Sequence, residues 1–408
     1  MLTVEQALET VIAGFSKLGA ETVSLGDGLG RVLAEPVIAR LSHPPAAVSS
    51  MDGYAVRSAD VQRKGVTLTR IGEAAAGLGF EGTVGPGQCT RIFTGAPLPP
   101  GADAVIIQED SEVDGDQITL NEVGFPGKFV RPEGLDFAEG KVLLEAGRRL
   151  TARDIGLAAA ANVPWLSVVK KPLIGVLSTG NELVLPGEAA GADQIVNSNS
   201  VALVAYCAAL GAEARNLGIA ADTPESLAAK LSAARGVDLL VTTGGASQGD
   251  YDLVSQIMES DRADLGFYKV AMRPGKPLIF GSIPTLDGEK VPLLGMPGNP
   301  VSAGVSSVLY MRAAICVMLG LNPHPVKERA QLGADLPAGG KREDYLRATL
   351  DNDPEQGLIA TPFTGQDSSM MARFADADCL LVREIDAAPA AKGEAVTIIR
   401  LDLASLRL

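Results

Sequence analysis

Between residues 172 and 321, short apolar runs of strand length alternate with longer runs of helical character, and this alternation limits the fold more than any other feature. Strands are expected at 173–177, 238–242, 277–280 and 292–294, with helices near 200–210, 224–234 and 300–319. Parallel strands need a crossover of helix length between them, so this order predicts a parallel sheet wrapped by helices. Leu239, Leu240 and Val241 form the kind of run that such a sheet buries on both faces. Ligands of these sheets bind beyond the carboxyl ends of the strands. Each conspicuous loop falls at such an end: STGNEL (178–183), TTGGASQGDYD (242–252) and GMPGNPVS (295–302).

The flanks read differently, and a chain of 408 residues exceeds the roughly 250 to 300 that one core supports. Thr3 and Gln6 make a capping box for a first helix with Val4, Ala7, Leu8, Val11 and Ile12 on one face, expected to end near Gly19. From 41 to 136, short strands such as 66–71, 104–107 and 117–120 are broken by Pro and Gly, which indicates a small β-rich domain. Thr151 and Asp154 open another helix, closed by Pro164 before a strand at 165–170. After Pro323 the segments DYLRATL, LIATPF, CLLVREI and EAVTIIRLDL suggest a compact β sheet or barrel. The fold class is therefore α/β plus β and multidomain. Its expected parts are a helical/linker domain of 1–41 and 137–171, a β-rich insertion of 42–136, a doubly wound α/β domain of 172–322, and a C-terminal β-barrel domain of 323–408.

Composition removes several functions. A net charge of −14 disfavours general nucleic-acid binding, which requires a basic face. The four cysteines form no CxxC pair, and MLTVEQALETV lacks the halves of a signal peptide, so a reduced cytoplasmic protein is expected. The most membrane-like run, 301–320, is interrupted by Ser302, Ser306, Ser307 and Arg312 and reads as a buried helix. The two histidines, His43 and His324, lie in Pro-containing loops away from any zinc-ligand spacing.

The strand-end loops carry the candidate chemistry. Gly244 and Gly245 permit a close approach of backbone to ligand, and Asp250 and Asp252 follow as hard oxygen donors suited to Mg2+ on phosphate. Glu182 lies just beyond a buried strand, where it can ligate a metal, orient water, or serve a helix dipole. Asp222 precedes Thr223 and Pro224, so a helix-start role competes with a chemical one. Lys269, Ala271 and Arg273 alternate, which would aim both cations to one side of an extended strand beside Lys276 and favour an anion. Pro297, Gly298 and Pro300 lead into a helix whose N-terminal N–H groups suit a phosphate.

Seven segments in order, SMDGYAVR (50–57), RIFTGAPLPPGADAVI (91–106), VRPEGLDFAEG (130–140), STGNEL, TTGGASQGDYD, RPGKP (273–277) and GMPGNPVS, carry a resemblance. By these the chain resembles the molybdopterin molybdenumtransferases, the family of MoeA and the gephyrin E domain, over essentially its whole length. The resemblance implies an elongated homodimer of four-domain subunits, with a MoaB/MogA-like α/β domain that binds molybdopterin and an active site that borrows partner loops. It implies a Mg2+-dependent reaction in which molybdate is inserted into adenylated molybdopterin and AMP is released, in the cytoplasm and without nucleic acid or membrane. A molybdopterin adenylyltransferase is the implied upstream partner.

By the same resemblance, Asp52, Thr94, Asp136, Glu182, Asp222, Asp252, Lys269 and Arg273 are the catalytic candidates. Ser178, Thr179, Gly180, Gly244, Gly245, Ser247, Asp250, Lys276, Pro297, Gly298, Asn299, Pro300, Arg347 and Ser368 are the substrate-binding candidates, and Glu182, Asp250 and Asp252 the metal ligands. Molybdate would be drawn to Lys269, Arg273 and Arg347. The chain departs from the family at Asp250, where Glu is frequent, at Arg273, where some relatives have Lys, and beside Ser368, where Gly is usual. The competing expectations are a molybdopterin adenylyltransferase, disfavoured by the flanking domains, and a non-catalytic molybdopterin-binding scaffold.

Overall fold

The computed structural model describes residues 1–244, 264–284, 290–355 and 357–401. The chain divides into two compact units, one of Met1–Glu21, Gly30–Val32 and Val168–Leu408, the other of Thr22–Leu29 and Leu33–Ser167. The first unit opens with α1 (Val4–Ala13), where Thr3 and Gln6 close the expected capping box and Val4, Ala7, Leu8 and Val11 are buried. The helix stops well before Gly19. Gly14 caps it because a side chain there would run into the Phe280 ring, and Leu18 then bonds the carbonyl of Met318 instead of continuing the helix.

The second unit contains β1 (Gly53–Val56), β2 (Val66–Ala74), β3 (Gln88–Ile92), β4 (Ala104–Ile107), β5 (Ser111–Asp114) and β6 (Gln117–Leu120). They form one sheet in the order β4-β1-β3-β2-β6-β5, antiparallel except between β2 and β3. Strand β1 is buried on both faces, Tyr54 and Val56 packing with Leu68 and Ile106, Ala55 with Ile92 and Val105. Gly53 is required at its start, because a Cβ would collide with the carbonyl of Ile106. Helix α2 (Ala152–Ala160) also opens on its expected capping box, with Asp154 accepting from Thr151 and paired to Arg148 at 2.8 Å.

In the first unit, β7 (Leu173–Thr179), α3 (Ser198–Leu210), β8 (Glu213–Ala220), α4 (Pro224–Ser232) and β9 (Leu239–Thr243) follow one another. Then come β10 (Asp264–Tyr268), the short β11 (Met272–Arg273), β12 (Ile279–Pro284) and β13 (Lys290–Met296). The sheet order is β8-β7-β9-β13-β12-β10. Its first four strands are parallel, and Leu177, Leu240, Ile279 and Leu293 lie in its core. The expected all-parallel sheet fails at β12, which is antiparallel to both neighbours. Residues 285–289 are too few to make a crossover, so β12 and β13 pair as a hairpin.

The segment 300–319 is helical throughout but not uniform, with α5 (Pro300–Ser306), a π-helical turn at Ser307–Met311, and α6 (Arg312–Leu319). Among the described residues it is the one helix long and apolar enough to cross a membrane, and 83% of its apolar window is buried. Beyond it, β14 (Lys327–Leu332), β15 (Glu343–Asp353), β16 (Gly357–Pro362), β17 (Cys379–Arg383) and β18 (Ala395–Arg400) close into a barrel. The order is β15-β16-β14-β18-β17, with β17 returning to β15. Strand β14 is not anticipated by the sequence. Strand β11 adds to the outside of β15, bringing Arg273 level with Asp344.

Candidate functional site

Chain order reverses about β7, with β8 on one side and β9 on the other, which is where parallel sheets open a crevice. Register places Ser178 beside Thr243 and Thr243 beside Met296, so the loops after β7, β9 and β13 leave the sheet at one level. Gly244 takes φ +88° and lies so close to Thr179 that a Cβ would collide with the Thr179 carbonyl. A pocket forms there, lined by Thr179, Glu182, Asn197, Asn199, Thr243, Gly244, Gly298 and Pro300 among others. Ser178 lies at the end of β7, and Gly180, Pro297 and Asn299 belong to the loops that follow β7 and β13. Gly245, Ser247, Asp250 and Asp252 lie outside the described residues.

Two asparagines that the sequence reading did not single out organise this pocket. Asn197 caps α3, its Oδ1 accepting from Ser200 N at 3.3 Å and from Ser178 Oγ at 3.1 Å. Asn199 Nδ2 donates to Thr243 Oγ1 at 2.8 Å and to Gly298 O at 2.7 Å. The signal available was the NSNS run just before an apolar helix, a cluster of cap-forming residues at a strand-end crevice. Thr179 Oγ1 and Asn197 Nδ2 are buried and have no hydrogen-bond partner among the described residues.

Glu182 is exposed on its loop and folds back over Gly180. Asp222 clasps that same loop, accepting from Asn181 N at 3.2 Å while its own N–H donates to Asn181 Oδ1 at 3.1 Å. Thr223 caps α4 with Pro224 in its first turn, so Asp222 supports the crevice from just outside the helix.

A barrel loop meets the start of α5. Asn299 Nδ2 donates to Ser368 Oγ at 2.9 Å, and Val301 N donates to Ser368 O at 3.1 Å. One of the helix N–H groups expected to face a phosphate is thus already bonded to protein. Arg347 is almost wholly buried, donating through Nη2 to Asp367 O at 2.8 Å, while its backbone holds Gln366 in both directions. Burial lowers its pKa, opposed by the charge of Asp367. From this position it anchors the Ser368 loop.

The cations of 269–276 are not arranged as a strand would arrange them. β10 ends at Tyr268, and Lys269 takes φ +78° with its ammonium over the Tyr268 ring at 4.6 Å. Arg273 forks onto Asp344, Nε and Nη2 each 2.7 Å from a carboxylate oxygen. The alternation fails because Val270 N bonds the carbonyl of Lys276, folding the segment into a tight loop. Lys276 itself is exposed.

In the second unit, Asp52 and Thr94 meet. Asp52 Oδ1 accepts from Thr94 N at 2.7 Å and from Thr94 Oγ1 at 2.8 Å. These bonds, with a smaller contribution from Arg91, hold the Asp52 carboxyl below its ordinary value. Arg91 lies against the rings of Tyr54 and Phe93 and donates to Gly53 O at 3.1 Å. Asp136 is exposed in a separate loop, where its N–H donates to His43 O at 3.0 Å.

Three family models match the chain: "MoeA N-terminal region (domain I and II)" over 2–162, "Probable molybdopterin binding domain" over 175–315, and "MoeA C-terminal region (domain IV)" over 329–401. The molybdopterin molybdenumtransferase of Nostoc sp. is 37% identical over 343 residues, covering 82% of this chain and 78% of that protein. The molybdopterin molybdenumtransferase of Haemophilus influenzae is 32% identical over 404 residues, covering 98% of each. A solved structure of the molybdopterin biosynthesis MoeA protein from Pyrococcus horikosii shares 32% identity at a TM-score of 0.85, covering 98% of this chain and 99% of that one.

Proposed function

The chain belongs to the MoeA family of molybdopterin molybdenumtransferases, and from that premise we propose that it inserts molybdate into adenylated molybdopterin and releases AMP. It is a transferase of molybdenum cofactor biosynthesis. The observation that carries the site assignment is a pair of buried polar atoms in the strand-end pocket, Thr179 Oγ1 and Asn197 Nδ2, that find no partner among the described residues. Buried polar groups are costly without a partner, and a pterin dithiolene phosphate offers donors and acceptors to satisfy them.

In this reading the first-unit crevice holds the pterin, with Gly244 and Gly298 presenting backbone to it and Glu182 at its edge. Lys269, Lys276 and the outer edge of the Arg273 guanidinium attract molybdate, while Arg347 and Asn299 hold the Ser368 loop in place. Asp52, Thr94 and Asp136 are the catalytic candidates of the second unit, and the protein acts as a homodimer. Mg2+ is the expected cofactor, and Glu182 supplies one hard oxygen donor. Among the described residues no group of three His, Cys, Asp or Glu side chains assembles to hold a metal, and Glu182 would be one ligand of a set that these residues do not complete. The four-part division at 41, 136, 171 and 322, a cytoplasmic location and delivery of substrate by an adenylyltransferase complete the reading.

Purified protein given adenylated molybdopterin and Mg2+ should release AMP only when molybdate is added. ATP consumption on plain molybdopterin would instead identify an adenylyltransferase, and tight binding without reaction would identify a scaffold.

A further inference from the structure

The molybdopterin pocket is made of turns that follow separate strands, and turns rich in glycine do not hold their own spacing. We propose that Asn199 is the positioning residue of this pocket, its carboxamide fixing the Gly244 and Gly298 turns at the separation the pterin needs. This rests on reading the strand-end crevice as the molybdopterin site.

The two N–H groups of one carboxamide nitrogen are both engaged. One bonds Thr243 Oγ1 at 2.8 Å at the end of β9, and the other bonds Gly298 O at 2.7 Å after β13. A backbone carbonyl only accepts, so the nitrogen must face Gly298 and the orientation of the amide is settled. Thr243 Oγ1 donates in turn to Pro297 O at 3.3 Å, closing a ring of bonds between the two turns. Behind that ring the turns are nearly in contact, since a Cβ on Gly298 would lie 3.7 Å from the Gly244 Cα.

Helix formation does not account for Asn199. Asn197 is the capping residue of α3, and asparagine within the first turn brings no helix propensity of its own. Neither does core packing, because Asn199 is only half-buried beside the pocket. What the side chain uniquely supplies is a pair of donors directed at two loops.

Asn199→Asp keeps the shape and removes both donors, placing a carboxylate against the Gly298 carbonyl. The Michaelis constant for adenylated molybdopterin should rise about tenfold or more, on the scale of two lost hydrogen bonds, while that for molybdate stays within about twofold. Asn199→Ala, which loses the donors without adding charge, should show the same selectivity to a smaller degree, and the melting temperature of both should change little. Equal changes in both constants with a fall in melting temperature would reduce Asn199 to a structural residue and overturn the proposal. Gly298→Leu, which fills the pocket, separates the two levels. If it leaves pterin use intact, the reading of the pocket fails, whereas if it abolishes pterin use and Asn199→Asp does not, only the role of Asn199 fails.

Discussion

Thr94 donates twice to the same oxygen of Asp52, and a carboxylate so bonded is stabilised in its charged form. The folded-state pKa of Asp52 is therefore below the ordinary 3.8, and the stability linked to it is complete above that value and lost as pH falls through the folded pKa. Thr94→Ala loses the hydroxyl bond but keeps the larger contribution of the backbone N–H, so it should raise the Asp52 pKa only part of the way toward 3.8, and Thr94→Ser should raise it far less, as read by carboxyl NMR titration. An unchanged titration in Thr94→Ala would show that the Thr94 hydroxyl contributes nothing to holding the charge. Both residues were legible from their motifs, but their pairing was not. It depends on the antiparallel register of β1 and β3, which places Gly53 opposite Ile92 and so brings together loops distant in sequence. The Asn199 bridge is not legible in the sequence for the same reason, since its two acceptors become neighbours only when β9 and β13 pair.

Among the elements, the parallel strands β7, β9 and β13 were readable because a strand buried on both faces is continuously apolar. Strand β14 was hidden because its sequence, KERAQL, is half charged and only Ala330 and Leu332 are buried. Contrary to what the alternation of Lys269 and Arg273 suggests, the short β11 is not part of a longer basic strand. Its place is set by pairing with β15, where Asp344 receives the fork of Arg273. Asp344 is 7% exposed and Arg273 59%, so solvent can take over only the arginine's side of the pair. Asp344→Asn should lower stability by about 1–2 kcal/mol, seen as a lower urea midpoint at constant slope. No shift in the midpoint would mean that the fork contributes nothing to holding β11 on the barrel. For the same reason Arg273→Lys is not a conservative change here, since a lysine cannot hold both carboxylate oxygens while presenting a further donor outward.

For the molecule as a whole, a net charge of −14 opposes the approach of anionic substrates, so recognition must come from local groups. In the proposed function that local charge comes from Lys269, Arg273 and Lys276 near β10 and β11. Fold class and family were legible along the whole sequence because motif order survives where side-chain partners cannot be inferred. In the proposed function, molybdenum insertion and AMP release are one coupled event. The most direct test counts both products, molybdenum delivered to a cofactor-free molybdoenzyme and AMP released, in a single reaction with purified protein, adenylated molybdopterin, Mg2+ and molybdate. Equal amounts of each and a reactivated acceptor enzyme are expected, whereas AMP release that continues without molybdenum transfer would overturn the coupling.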